Sequence, residues 1–245
     1  MVLLNAADRV YLGADLSPRG FVGEVEVYNV VKFPAIRGTL TQFSGSTSSN
    51  SFTMPLPEHD EDDLLMLFIA ADGASADISS IDAVNGVSWT SLNRQSANDA
   101  VEMVRFLRAG ADQAATNITV TLNAEESVKA LAYAIENAHA TTDPEIATAG
   151  TSSNPPSLAP SWAVTKTLWF ATYTSGNRAS YATGAPSGYG NLTALGASGG
   201  NADIPSLSVC YRQTESESQD PGPFTLTTGS HQVAASTVAV RPFES

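Results

Sequence analysis

The chain has 245 residues, 42% hydrophobic and only 15% charged, with a formal charge of −13. That acidity excludes binding to a nucleic-acid backbone, which needs Lys and Arg to displace counterions, and it disfavours anionic surfaces in general. No apolar run approaches the ~18 residues of a membrane span. The opening MVLLNAADRVYLG has neither the basic nor the apolar region of a signal peptide, and the lone Cys210 allows no intrachain disulfide.

Residues 1–40 read as two short strands, Val10–Leu12 and Val22–Val31, around a Ser-Pro-Arg-Gly turn. A hairpin this small is marginal alone, so it needs a sandwich or another chain to cover it. Next, five ionisable residues at 59–63, HDEDD, run into the apolar stretch LLMLFIAADG, which predicts a buried strand with a wet entrance. The segment VEMVRFLRA (101–109) alternates apolar and polar residues, as a strand with one wet face does. NITVTLN (117–123) is β-branched at most positions, which suits a pleated surface. Only in NAEESVKALAYAIENAHA (123–140) do good helix formers compete with a strand.

The prolines at 144, 155, 156 and 160 predict an extended surface crossover over 141–161. Beyond it the pattern returns. KTLWFATYTSG (166–176) matches DLLMLFIAADG (63–73), and PSGYGNLTA (186–194) matches NGVSWTSLN (85–93). SLSVCYRQTESES (206–218) matches VEMVRFLRAGADQ, and PFTLTTGSHQVAASTVAVRPF (223–243) matches the block from Asn117. All four blocks are displaced by about 100–105 residues, and a near-constant shift is the mark of an internal repeat. The later counterpart of the ambiguous segment is β-branched and ends in Pro, so both read as strands.

The expected fold is therefore all-β: a jelly-roll-like antiparallel β-sandwich of two related four- or five-strand units, preceded by a short N-terminal hairpin. The boundaries are 1–40 for that segment and 41–245 for the sandwich, with copies at about 41–140 and 158–243. A single unit could not cover its own apolar face, so both copies are expected to share one core.

Chemistry-bearing motifs are few. The acids at 59–63 have no counterpart in PSWAVTK (160–166), so they are a solvated lip or a feature of the first copy alone. Calcium would need several converging oxygens, but no EF-hand spacing occurs, and no metal or cofactor is expected. His59, His139 and His231 sit in no nucleophile elbow or zinc motif, so no catalytic residue is assigned. Cys210, in an alternating run, reads as a buried inert thiol. Trp89, Trp162, Trp169 and Tyr173 read as packing residues. Tyr181 and Tyr189, in the loop-like NRASYATGAPSGYGN (177–191), are the candidate contacts for a glycan.

The opening NAADRVYLGA, with its short V-Y-L-G segment, resembles the start of tail and appendage proteins of tailed bacteriophages. The doubled pattern of D-LLMLFIAADG, GVSWTSL, VRFLRAG, TVTL and ALAYAIENA is similar to a β-sandwich unit of phage minor structural and fibre-like proteins. The resemblance implies a non-enzymatic virion protein, made in the host cytoplasm: a surface appendage, fibre or tail-associated subunit, homo-oligomeric and contacting other virion proteins. It makes residues 1–40 the docking segment, with Val10, Tyr11, Leu12, Phe21, Val25, Val27 and Tyr28 as the contacts. A module recognising host surface glycan is the alternative. Neither reading involves nucleic acid or membrane insertion.

Overall fold

The computed structural model describes residues 31–97, 99–110, 117–177, 179–196, 204–227 and 233–244. The proposed docking residues Val10, Tyr11, Leu12, Phe21, Val25, Val27 and Tyr28 lie outside this set. The described residues form strands and no helix. In chain order the strands are β1 (Ala35–Ser44), β2 (Ser49–Pro55), β3 (Leu64–Asp72), β4 (Ile78–Ile81), β5 (Thr90–Ala97), β6 (Ala100–Arg108), β7 (Asn117–Glu126) and β8 (Val128–Glu136). They continue with β9 (Glu145–Ala149), β10 (Lys166–Ser175), β11 (Ala182–Gly184), β12 (Gly190–Leu195), β13 (Ser206–Glu215), β14 (Thr225–Leu226) and β15 (Val233–Val240). Every pairing between them is antiparallel.

Two five-stranded sheets dominate. One has the order β1-β8-β3-β6-β5, and the other, read from its far edge, β9-β15-β10-β13-β12. The orders correspond strand for strand. Pairing within them corresponds too: Leu64 lies opposite Arg108 and Ile135, and Leu168 opposite Gln213 and Val240. The β5–β6 and β12–β13 ladders each carry a register shift near the start of the edge strand.

The register also corrects the sequence alignment. Aligning 63–73 with 166–176 sets Leu65 against Leu168, whereas Leu64 holds the equivalent place. A one-residue slip sends every side chain to the opposite face, and apolar runs buried on both faces give the sequence no parity by which to detect it.

The five-stranded sheets pack face to face. Leu64, Met66 and Phe68 of β3 and Leu131 of β8 meet Leu168 and Phe170 of β10 in one apolar layer. The expectation of a single shared core is incomplete, because each sheet has a second core on its outer side. Beneath the first, Leu65, Leu67 and Ile69 pack on Phe52, Ile118 and Val120 of a small sheet ordered β2-β7-β4. Outside the second, Trp169, Tyr173 and Cys210 pack with Phe224 and Ala182 beside the β11–β14 pair. The described residues thus form a stack of four β-layers.

That stacking overturns the one-wet-face reading of 101–109. Strand β6 is buried from Ala100 to Leu107, Glu102 and Arg105 included, and β13 is buried over 206–210. A polar residue in an alternating strand thus marks the second interface here, not solvent. The ambiguous 123–140 segment is strand, supplying the end of β7 and all of β8. The 141–161 crossover is not wholly extended surface chain, since its Glu145–Ala149 pairs with β15 as an edge strand. The boundary placed at residue 40 falls inside β1, which pairs with β8 along Ala35–Ser44.

One local signal acts as chemistry predicts. Asn85 (φ 52°) and Gly86 (φ 81°) form the two-residue turn between Val84 and Val87. Both central residues need positive φ, which Asn tolerates and Gly adopts freely.

Candidate functional site

The acidic entrance to β3 is a structural anchor. Asp63 is 3% exposed. One of its carboxylate oxygens accepts the backbone N–H of Asp60 at 2.8 Å, and Arg37 donates Nε and Nη2 to the carboxylate at 2.5 and 3.2 Å. Arg37 also reaches Asp60 at 2.8 Å and Glu136 at 3.3 Å. One guanidinium on β1 therefore ties together the β3 entrance and the end of β8. These carboxylates hold the Arg37 pKa above its ordinary value, the Asp63 hydrogen bond most of all. Glu61 and Asp62 face solvent. Among the described residues no group of three or more His, Cys, Asp or Glu is placed to hold a metal ion.

His59 is buried, with Nδ1 2.8 Å from the carbonyl oxygen of Pro57. The Nδ1 of His139 instead accepts the backbone N–H groups of Thr141 (3.3 Å) and Thr142 (3.0 Å), a role that requires the neutral ring. Burial and the neighbouring Arg241 push its pKa down. His231 lies outside the described residues. Cys210 is buried on the outer face of β13, its Sγ 3.6 Å from the Ala171 carbonyl oxygen, and burial pushes the thiol up to about 12. Such a thiol is a packing group and not a nucleophile.

The two candidate glycan tyrosines differ. Tyr189 is 8% exposed, belongs to the outer core, and has the Arg212 guanidinium 5.6 Å from its ring centroid; it offers no open stacking face. Tyr181 is half-buried, with its ring against Gly196, where an added Cβ would meet ring atoms at 2.5 Å. Trp169 and Tyr173 are fully buried, while Trp89 and Trp162 pack at the margins of the outer cores. The sequence did not single out the cavity of about 320 Å³ between the irregular part of β1 and that of β12. Tyr133, Tyr211, Leu40, Leu192 and Thr193 line it. The Tyr133 hydroxyl is sealed from solvent and makes no hydrogen bond of ordinary geometry. Burial raises its pKa, and the nearby Thr193 side chain opposes that shift.

The remaining polar cluster lies between the main sheets. Glu102 of β6 is fully buried. It is bonded to Thr172 Oγ1 of β10 and accepts Ser236 Oγ of β15 at 2.9 Å. Burial pushes its pKa up to about 7, against the pull of those two hydroxyls. Beside it, Thr148 Oγ1 of β9 donates to Gln95 Oε1 of β5 at 3.1 Å. VEMVRFLRA gave one sign of this site, a Glu in a strongly apolar strand, but a two-layer reading assigns that residue to water.

No helix among the described residues is long and apolar enough to cross a membrane. Against known proteins, no family model, no curated sequence and no solved structure matches the chain.

Proposed function

We propose that this chain is a non-enzymatic structural subunit of a tailed-bacteriophage virion, a surface appendage, fibre or tail-associated component that works as a homo-oligomer. The observation supporting this reading is how the chemistry-bearing side chains are spent. Asp63 clamps Arg37, Glu102 joins the two main sheets, His59 caps a local carbonyl and Cys210 fills a core. Four stacked β-layers held this way suit a rigid part of an assembly. The corresponding strand orders fit an origin by duplication of one sandwich unit. In this reading residues 1–30 dock the subunit on other virion proteins.

The test is particle incorporation. Deleting residues 1–30 leaves Phe33, whose ring carries Lys166 Nζ 5.7 Å from its centroid, and Pro34, whose carbonyl accepts Gln213 Nε2 at 2.6 Å. The truncated chain is expected to fold yet stay out of particles. Incorporation at the parent level rejects the docking assignment.

The cavity at Tyr133 favours a second reading, recognition of a host surface glycan, with the site moved from Tyr181 and Tyr189 to the β1–β12 cleft. The partly exposed ring of Tyr211 beside Asn191 and Thr193 is the kind of surface a sugar ring and its hydroxyls would engage. On a glycan array, Tyr211→Ala should lose binding. A parent chain that binds no glycan ends this reading.

A further inference from the structure

Glu102 sits in a closed set of oxygen contacts whose chemistry is independent of the virion reading. Three oxygen–oxygen contacts close a ring: Glu102 to Thr172 Oγ1, Thr172 Oγ1 to Ser236 Oγ at 2.6 Å, and Ser236 Oγ to Glu102 at 2.9 Å. The Ser236 backbone N–H also donates to Thr172 Oγ1 at 3.0 Å. Each hydroxyl supplies one proton and accepts up to two bonds. If the carboxylate is ionised, both hydroxyl protons point at it, and the 2.6 Å contact between Thr172 and Ser236 is left with no proton. With a proton on the carboxyl group, each of the three contacts holds one proton. One such arrangement sends the carboxyl O–H to Thr172, the Thr172 O–H to Ser236 and the Ser236 O–H back to the second carboxyl oxygen. Thr172 then donates once and accepts twice, which fills its capacity.

Among the described residues, none supplies a charge that favours the ionised form. Opposite Glu102 within its own sheet are Ala70 of β3 and Gln95 of β5. Across the interface are Thr172 of β10 and Ser236 of β15, with Thr148 of β9 opposite Ser236. The cation on this face of the first sheet, Lys129 of β8, lies beyond Ala70 and donates to Ser44 Oγ at 2.7 Å and the Gly45 carbonyl at 3.0 Å. An isolated carboxylate in such a place carries a large desolvation cost.

We propose that Glu102 is held as a neutral carboxylic acid in a closed three-oxygen hydrogen-bond ring, and that this ring is a proton-dependent latch between the two main sheets. Burial raises the carboxyl pKa to about 7, so the folded protein keeps a proton that the unfolded chain releases near the ordinary glutamate value. The stabilisation is fully present below the unfolded pKa and is lost as pH rises through the folded one. The folding equilibrium constant should fall on the order of fiftyfold between about pH 5 and about pH 8 from this group alone.

Urea unfolding of the full chain and of Glu102→Gln across that range isolates the effect. The glutamine amide donates and accepts as the neutral acid does, so the variant should fold and lack this component of the pH dependence. A parent-minus-variant difference that stays flat overturns the proposal. Should Glu102→Gln fail to fold, infrared spectra of parent protein carrying labelled glutamate provide the second measurement. A protonated carboxyl band is expected at pH 6 and should vanish in Glu102→Asp, where position 102 carries no label. Its absence from the folded parent at pH 6 also overturns the proposal.

Discussion

The rings of Phe68 on β3 and Phe170 on β10 lie with centroids 5.3 Å apart, a direct contact between the central strands of the two main sheets. Tyr133 and Tyr211 complete a four-ring cluster, edge-on to one another at 6.3 Å. Aromatic pairs in such geometry contribute beyond their buried area. Phe170→Ala should cost about 3–5 kcal/mol. Combined with Phe68→Ala, it should cost less than the sum of the two single changes, because both open the same space. Chemical denaturation of the four species measures this, and strict additivity would mean the sheets do not rely on this contact.

Within the acidic run only one carboxylate should matter for stability. Asp63→Ala leaves the Asp60 N–H without its acceptor and Arg37 without its closest partner, a loss of about 2 kcal/mol after allowing for the partial exposure of the guanidinium. Glu61→Gln, on the exposed lip, should stay within about 0.5 kcal/mol. Melting temperatures with and without a calcium chelator should coincide for the parent chain.

Cys210 gives a direct readout of burial. Its raised pKa and outer-core position predict no reaction with iodoacetamide in the native state at neutral pH, and full reaction once the chain is unfolded. Labelling followed by intact mass decides it. Rapid native labelling would show that the core around Trp169 and Phe224 opens.

His139 should titrate with the opposite sign to Glu102. Its folded pKa is depressed, so the native state binds fewer protons than the unfolded chain below the ordinary histidine value. Its contribution is present above that value and lost as pH falls through the folded pKa. The effect is small because the ring is largely hydrated. Comparing His139→Ala with the parent between about pH 5 and about pH 7.5 should show a modest difference, with the parent gaining as pH rises.

The tyrosines separate packing from recognition. Tyr189→Ala should destabilise by about 3 kcal/mol, as removal of a buried ring does, whereas Tyr181→Ala should cost about 1 kcal/mol. A Tyr189→Ala protein of parental stability would return that ring to the candidate contacts.

Strand type and antiparallel pairing were legible in the sequence because they rest on local chemistry. β-Branched runs such as NITVTLN favour a pleated surface, and alternating runs such as VEMVRFLRA favour a strand with two distinct faces. The number of layers was not legible. VEMVRFLRA is equally consistent with a strand wet on one side and with one buried against polar partners 70 and 134 residues away. Only the docking of the second sheet on the first brings Thr172 and Ser236 to Glu102. The Arg37–Asp63 anchor and the cleft at Tyr133 have the same origin, since each joins strands distant along the chain whose meeting is settled by packing. The chain's own residues determine what each strand can be, while the stacking of the sheets decides which polar side chains meet water and which meet one another.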